Sequence, residues 1–198
     1  MKPLVVLSLF LLSFVLVEDE PKKFEVTMTA DEQVLYDLLM AYRKEKNLPS
    51  IPLSKSLCYV AQQHAQDLLV NKPDLGDNCN AHSWSAKGAW SSCCYTPDHA
   101  QSTCMWNKPK ELTNYKEYGF EIACGSSDPQ YGDFIMTPEY AISSWKKSPG
   151  HNGVIVNNDP WKTFTWNAIG IGMNKGFAIV WFGASPDKDG APAKAESK

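Results

Sequence analysis

The chain has 198 residues, a formal net charge of -3 at pH 7 and 12% aromatic residues, among them seven tryptophans. That length favours one domain with a sizeable core over two domains. The slightly acidic balance, with Arg43 as the only arginine, argues against binding to nucleic acid or to an anionic membrane surface. Both kinds of surface are recognised by clustered positive charge, and phosphates best by the guanidinium fork.

The N-terminus predicts a secretory signal peptide over residues 1–17. Lys2 precedes a nearly unbroken apolar run from Pro3 to Val17, and acidic residues begin abruptly at Glu18. A run of about fifteen apolar residues is short for a bilayer span and typical of a signal peptide. No small-x-small pattern precedes Glu18, so a short anchor that stays attached is the alternative. We expect a secreted, extracellular protein with no membrane span after cleavage.

The cysteine count is even, which in a secreted chain predicts disulfides. Six cysteines allow fifteen pairings, and the sequence leaves the pairing open among Cys58, Cys79, Cys93, Cys94, Cys104 and Cys124. The adjacent Cys93 and Cys94 are expected to bond to different partners, because a bridge between neighbours strains the backbone. A metal site within Cys93, Cys94 and Cys104 is the disfavoured alternative, since no CxxC spacing is present.

Residues 18–28 are predicted to be a polar linker that ends in FEVTM, a candidate short strand. Two helices are predicted after it. Thr29 and Glu32 form a capping box that opens the first, and an apolar stripe at helical spacing follows. The second runs from about residue 54 to residue 70 and carries His64 on its apolar face. We interpret His64 as a buried histidine satisfied by a backbone carbonyl and leave it out of the predicted site.

Residues 71–118 are predicted to be a long irregular segment. Such a segment is uncommon within a compact domain, so we expect disulfides to hold it in place or a function to depend on it. His82 is its candidate site histidine, whereas His99, in Pro97-Asp98-His99, is interpreted as a turn residue. Beyond this segment, Glu121 is flanked by apolar neighbours. A carboxylate in such surroundings, if buried, needs a partner such as a histidine or a metal ion.

The stretch from Thr137 predicts a helix that Ser148-Pro149-Gly150 ends. His151 then follows at a turn, where it either faces a cleft or only caps the helix end. Two strands are predicted next, at about residues 164–173 and 176–182, joined by a tight turn. Residues 185–198 lack apolar content and are predicted to be a disordered tail.

Taken together, these segments resemble the CAP superfamily of cysteine-rich secretory proteins, antigen 5 and plant pathogenesis-related proteins. The resemblance covers residues 29–184, which we take as one SCP-like domain. It rests on motifs that occur in the same order as in that family: Ala41-Tyr42-Arg43, Leu57 to Ala65, His82-Ser83, Gly119 to Ala123, Trp145 with Ser148 to Ile155, and a closing Gly-x-Gly strand hairpin.

The resemblance implies an α+β fold, a three-layer α–β–α sandwich with a central, mainly antiparallel sheet, stabilised by disulfides. It also implies a cleft with two histidines and two glutamates. Carried over by position, the histidines are His82 and His151 and the first glutamate is Glu121. Ser148 stands where the second glutamate is expected, so the set of four is incomplete. A carboxylate from elsewhere, Glu139 or Glu117, is the candidate replacement.

Two histidines and one carboxylate are credible divalent-metal ligands, and nitrogen donors favour zinc. The predicted metal ligands are therefore His82, Glu121 and His151. An open position on such an ion permits hydrolysis in principle, so a metal-dependent protease or esterase using these residues is one hypothesis. A second version of the hydrolase uses Cys93 or Cys94 as nucleophile beside a histidine.

The favoured hypothesis is a non-enzymatic secreted module that binds a ligand or partner. The resemblance implies sterols, fatty acids, glycans or receptor proteins as the classes of ligand. The aromatic insert that contains Trp84, Trp90, Tyr95 and Trp106 supplies an apolar surface for such a ligand, or else fills the core beneath a disulfide-bonded loop.

Overall fold

The structure, a computed structural model, describes residues 21–194. The predicted signal peptide lies outside these residues. Within them, the α-helices are α1 Ala30–Glu45, α2 Lys55–Asn71, α3 Ser102–Trp106, α4 Lys108–Leu112, α5 Pro138–Lys147 and α6 Pro149–Ile155. The strands are β1 Thr27–Met28, β2 Gly119–Cys124, β3 Ala168–Asn174, β4 Phe177–Gly183 and β5 Ala193–Lys194. No helix in this part of the chain is long and apolar enough to cross a membrane.

The main sheet has the strand order β2-β4-β3, and both pairings are antiparallel. Its register places Trp181 opposite Glu121 on one side and opposite Gly170 on the other. A separate parallel pair joins β1 to β5. The predicted α+β class with a mainly antiparallel sheet is therefore confirmed. The strand hairpin begins and ends within a few residues of its predicted bounds.

Helix α2 packs against one face of this sheet through two glycines of β3. A Cβ atom at Gly170 would overlap the backbone of Leu57, and one at Gly172 would overlap the backbone of Ala61. Glycine is thus required where the helix and strand backbones approach so closely. Ile179 of β4 belongs to the same buried cluster as α2.

Helices α1 and α5 contribute to the apolar cluster on the other face. Alternate residues along a strand point to opposite faces, so Val180 joins this second cluster while its neighbour Ile179 joins the first. Leu35 of α1 and the fully buried Trp145 of α5 pack here. The Trp145 indole N–H donates to the carbonyl of Ala123 at 3.2 Å, which ties α5 to β2. The detailed three-layer order remains a prediction.

The capping box at the start of α1 is confirmed. The amide of Glu32 donates to the Thr29 hydroxyl at 3.2 Å, and the amide of Thr29 donates to the Glu32 carboxylate at 2.8 Å. Glu32 is itself buried, and its second carboxylate oxygen accepts from the amide of Met173 at 3.0 Å. The cap therefore also attaches α1 to β3.

Strand β1 lies in the predicted FEVTM segment, whereas the C-terminal segment, predicted as a disordered tail, contacts the domain. Val26 and Met28, in the predicted linker, are buried, and β1 pairs with β5 inside the predicted tail. Asp187 accepts hydrogen bonds from the Ser54 hydroxyl at 2.6 Å and the Ser56 amide at 2.8 Å, at the start of α2. The hydrogen bonds of Asp187 are polar, so a prediction of disorder that is based on low apolar content misses them.

One disulfide, Cys79–Cys94, links the ends of the loop that contains His82. It confirms a disulfide-stabilised fold and shows that the adjacent Cys93 and Cys94 are not bonded to each other. Cys58, Cys93, Cys104 and Cys124 have free thiols in the structure. The alternative of a metal site within Cys93, Cys94 and Cys104 is wrong, because the Cys94 sulfur is consumed by the disulfide.

Candidate histidine–glutamate site

Glu121 lies at the centre of the candidate site. It sits on β2, and its side chain is fully buried. One carboxylate oxygen, Oε2, lies 2.5 Å from Nδ1 of His64, and the other, Oε1, lies 2.7 Å from Nδ1 of His82. The requirement for a partner is therefore met by two histidines, one from α2 and one from the disulfide-closed loop.

His64 belongs to this site, contrary to our sequence interpretation. Its Nε2 lies 2.9 Å from the carbonyl of Ser83, as predicted for a buried histidine, but its Nδ1 meets Glu121. Both ring nitrogens thus face oxygen acceptors. A histidine that donates from both nitrogens is the imidazolium, so a buried charge pair with ionised Glu121 best satisfies the geometry. The ring also stacks on Trp84, with centroids 4.2 Å apart.

His82 presents its other nitrogen to the site. Its backbone amide is held by the side chain of Asn80 at 3.0 Å, and its side chain is 19% exposed. With Nδ1–H directed at Glu121, the neutral ring carries its lone pair on Nε2. Within residues 21–194 that Nε2 accepts no hydrogen bond, which leaves it free to bind a metal ion or a ligand proton.

The histidines keep the buried carboxylate ionised. Burial by itself would raise the pKa of the Glu121 carboxyl, but the charge of His64 and the hydrogen bonds from His64 and His82 hold that pKa below its usual range. Nearby, burial and the charge of Glu121 raise the pKa of the Tyr95 hydroxyl. The negative charge at Glu121 is therefore matched by histidine protons and is not available to a solvent cation.

His151 is contributed by a helix and not by an open turn. Ser148 is extended and ends α5 as predicted, but Pro149 then starts α6 and places His151 in its first turn. Burial, with the neighbouring His82 imidazole as the smaller cause, lowers the pKa of His151 to about 4. His151 is thus a neutral imidazole at pH 7 and lies close to His82. Its part in the predicted site remains a prediction.

The predicted metal site contains a carboxylate that is already hydrogen-bonded. Both oxygens of Glu121 are engaged by histidine protons, and the described residues contain no group of three or more His, Cys, Asp or Glu side chains arranged to hold a metal. Glu117 and Glu139 are exposed, and neither forms an ion pair with a histidine in this part of the chain. Neither carboxylate oxygen of Glu121 is therefore free to bind an ion in this structure.

The cysteines predicted as nucleophiles are poorly suited to that role. Cys94 is disulfide-bonded, and Cys93 is buried. Burial and the neighbouring Cys104 thiol raise the pKa of Cys93 to about 12. Because the thiolate is the nucleophilic form, the raised pKa makes Cys93 a poor catalytic nucleophile near neutral pH.

The aromatic insert mostly fills the core. Trp84 is 1% exposed and Tyr95 is 5% exposed, while Trp90 and Trp106 are half-buried. Trp84 and Tyr95 therefore pack in the core and do not form an apolar surface for a ligand. Trp84 in particular supports the site, because it stacks on His64.

A separate cavity of about 680 Å³ lies at the hairpin end of the sheet. None of the three predicted site residues lines it. Its wall combines apolar side chains with two lysines, and includes Leu69, Lys72, Ile135, Tyr140, Lys175 and Phe177. Ile135 is 61% exposed and Tyr140 is 53% exposed, so the rim presents apolar groups to solvent. This cavity is not predicted by the sequence patterns, because its wall comes from four segments of the chain, near residues 69–72, 124–136, 140 and 175–177.

No protein-family profile and no curated protein sequence matches the chain. Among solved structures, it is similar to an outer surface protein of Borrelia burgdorferi, with 18% identity, a TM-score of 0.51, and coverage of 81% of this chain and 96% of that one. An extracellular SCP-domain protein of Bacillus anthracis has 17% identity and a TM-score of 0.50, with 78% of this chain covered.

A cysteine-rich secretory protein of Staphylococcus aureus has 14% identity and a TM-score of 0.46 over 78% of this chain. This chain spans only 40% of the length of the Bacillus protein and 39% of the Staphylococcus protein. The similarity to the Bacillus structure, together with the order of helices, strands and histidines described above, shows that the chain has a CAP/SCP-like fold.

Proposed function

We propose that the chain is a secreted, extracellular CAP-type module that binds a ligand or partner and does not catalyse a reaction. The observation that carries this proposal is the burial of Glu121, whose two carboxylate oxygens both accept hydrogen bonds from histidines. A metal-dependent hydrolase needs a general base within reach of the attacking water. The only carboxylate among the predicted site residues is committed elsewhere.

The proposal includes a weak divalent-metal site at His82 and His151. Nε2 of His82 is free, and His151 is neutral at pH 7 because its pKa is lowered to about 4. Nitrogen donors favour zinc. Glu121 would then orient His82 through Nδ1, as carboxylates do behind metal-bound histidines. When bound, the ion would supply a positive charge and open coordination positions for an anionic ligand group.

We further propose that the cavity takes an apolar ligand with an anionic group, such as a fatty acid. Its volume of about 680 Å³ lies within the usual range of small-molecule sites, roughly 300–1,000 Å³. Ile135 and Phe177 offer apolar contacts, and Lys72 and Lys175 offer positive charge. Sterols, glycans and receptor proteins remain the other ligand classes, and they become outcomes of the same binding screen.

The metal site is tested by zinc titration in a calorimeter. We expect micromolar binding by the wild type that is lost in both His82→Ala and His151→Ala. His99→Ala is the matched control, because His99 is exposed and outside the site. Unchanged binding in either site variant would contradict the two-histidine site.

Hydrolase activity is tested on peptide and ester substrates with and without added zinc. We expect no turnover above that of the buffer. Zinc-dependent turnover that disappears in both His82→Ala and His151→Ala would establish the hydrolase instead, and would overturn the proposed binding function.

The cavity is tested by displacement of a fluorescent fatty acid. Ile135→Asp should weaken binding at least tenfold, because it puts a charge on the apolar rim. Val70→Asp is the control: Val70 is 59% exposed but does not line the cavity. Equal effects of the two substitutions would place the ligand elsewhere.

A further inference from the structure

Cys93 and Cys104 lie close together within the long irregular segment, residues 71–118. Cys93 is 6% exposed, and its amide and carbonyl pair with those of Trp84 at 3.0 and 2.8 Å. The Cys104 sulfur lies 3.7 Å from the carbonyl oxygen of Ser92, the residue before Cys93. Both cysteines pack in the same apolar cluster, with Trp84 and Met105.

The other cysteines are accounted for separately. Cys79 is bonded to Cys94. The sulfur of Cys58 is fully buried and accepts a hydrogen bond from the amide of Ile171 at 3.4 Å, within the α1 cluster. Cys124 lies at the end of β2 and lines the cavity. Cys104 is thus the partner that the fold offers to Cys93.

We propose that Cys93 and Cys104 form a second disulfide in the secreted protein, and that Cys58 and Cys124 remain thiols. The adjacent Cys93 and Cys94 would then each close a loop, one forward to Cys104 and one back to Cys79. The effect of the neighbouring Cys104 thiol on the pKa of Cys93 supports the closeness of the two sulfurs.

The reaction is thiol–disulfide exchange with a small disulfide oxidant such as oxidised glutathione. Cys104 is half-buried and lines an open groove with Asn107, so it meets the oxidant first. Its thiolate forms a mixed disulfide and expels one thiol. The Cys93 sulfur, after losing its proton, attacks the Cys104 sulfur and expels the second thiol. Two protein thiols are oxidised and one small disulfide is reduced to two thiols.

The second bridge would stabilise the histidine site indirectly. Cys93 is paired through its backbone with Trp84, and Trp84 stacks on His64. A bridge from Cys93 to α3 would therefore fix the strand-like segment that supports the His64 ring. This is a positioning effect and does not depend on the proposed ligand-binding function.

The test is to alkylate the thiols of the full chain under denaturing conditions without reduction, after secretion from an oxidising host. Fragment masses then identify each modified cysteine. We expect modification at Cys58 and Cys124 only, and at all six cysteines after reduction. Modification of Cys93 and Cys104 in the unreduced protein would overturn the proposal.

Two substitutions separate this pairing from others. Cys104→Ser should release the thiol of Cys93 and give three modified cysteines: Cys58, Cys93 and Cys124. Cys124→Ser is the control, and should leave only Cys58 modified. If the thiol newly modified in Cys104→Ser belonged to a cysteine other than Cys93, the proposed Cys93–Cys104 pairing would be wrong. Loss of the bridge should also lower the melting temperature by roughly 5–10 °C.

Discussion

The carboxylate of Glu121 lies 2.5 Å from Nδ1 of His64, and both side chains are fully buried. This pair joins the edge strand β2 to helix α2 across the protein interior. Burying an isolated charge has a large desolvation free energy, and in this pair the opposite charges of Glu121 and His64 offset that free energy. The pair therefore acts as a structural connection first, and as an orienting group for His82 second.

Neutralising one member of this pair should destabilise the fold. We expect Glu121→Gln to lower the free energy of unfolding by about 3 kcal/mol, because it leaves the His64 proton facing an amide. Glu117→Gln, at an exposed position, should change it by less than about 0.5 kcal/mol. Urea unfolding monitored by tryptophan fluorescence measures both. Equal stability of the two variants would contradict the buried charge pair.

Acid should destabilise the protein in two stages. The pKa of His151 is lowered from 6.5 to about 4 in the folded state, so between these values only the unfolded chain binds its proton. Stability therefore falls as pH drops from 6.5 towards 4, by at most about 1.4 kcal/mol per pH unit from this group. The lowered pKa of Glu121 adds a second loss below its unfolded value of 4.5.

The variant His151→Gln separates these two stages. Glutamine does not titrate, so the loss of stability between pH 6.5 and pH 4.5 should become shallower, while the loss at lower pH should persist. The measurement is the urea midpoint at a series of pH values. An unchanged upper stage in His151→Gln would show that another group causes it.

Gly170 should not tolerate a side chain. A Cβ there would overlap the backbone of Leu57, so Gly170→Ala must push α2 away from β3. We expect a loss of at least about 2 kcal/mol in thermal or urea unfolding. Gly150 is the matched control, since its Cβ would meet open space. If Gly170→Ala were as stable as Gly150→Ala, the close contact between α2 and β3 would be wrong.

Asp187 should stabilise the start of α2. Asp187→Ala removes acceptors used by Ser54 and Ser56, and we expect a loss of about 1–2 kcal/mol, as for other helix caps. Asp133→Ala, at an exposed position, is the control. Hydrogen exchange at the first turn of α2 provides a local measurement, and it should speed up in Asp187→Ala alone.

The parts of the fold that follow local rules could be predicted from the sequence. The capping box at Thr29 and the break at Ser148 are local events, and both occur as predicted. The roles of His64 and Asp187 depend on residues at least 57 positions away. A helix-face pattern shows that His64 is buried, but not which acceptor it meets there. Ser148-Pro149-Gly150 predicts a helix end and so a turn at His151, but proline also suits a helix start, and Pro149 begins α6.

The parallel pairing of Thr27 with Ala193 has a practical consequence for engineering. The two flanking segments meet in this pair, and because its strands are parallel, the chain enters the pair at one end and leaves it at the other. A linker that runs back along the two-residue pair, from residue 194 to residue 27, would therefore close the backbone into a ring. New ends could then be opened in the exposed segment near Tyr131, which would turn the rim of the cavity into an entry point for grafted sequences.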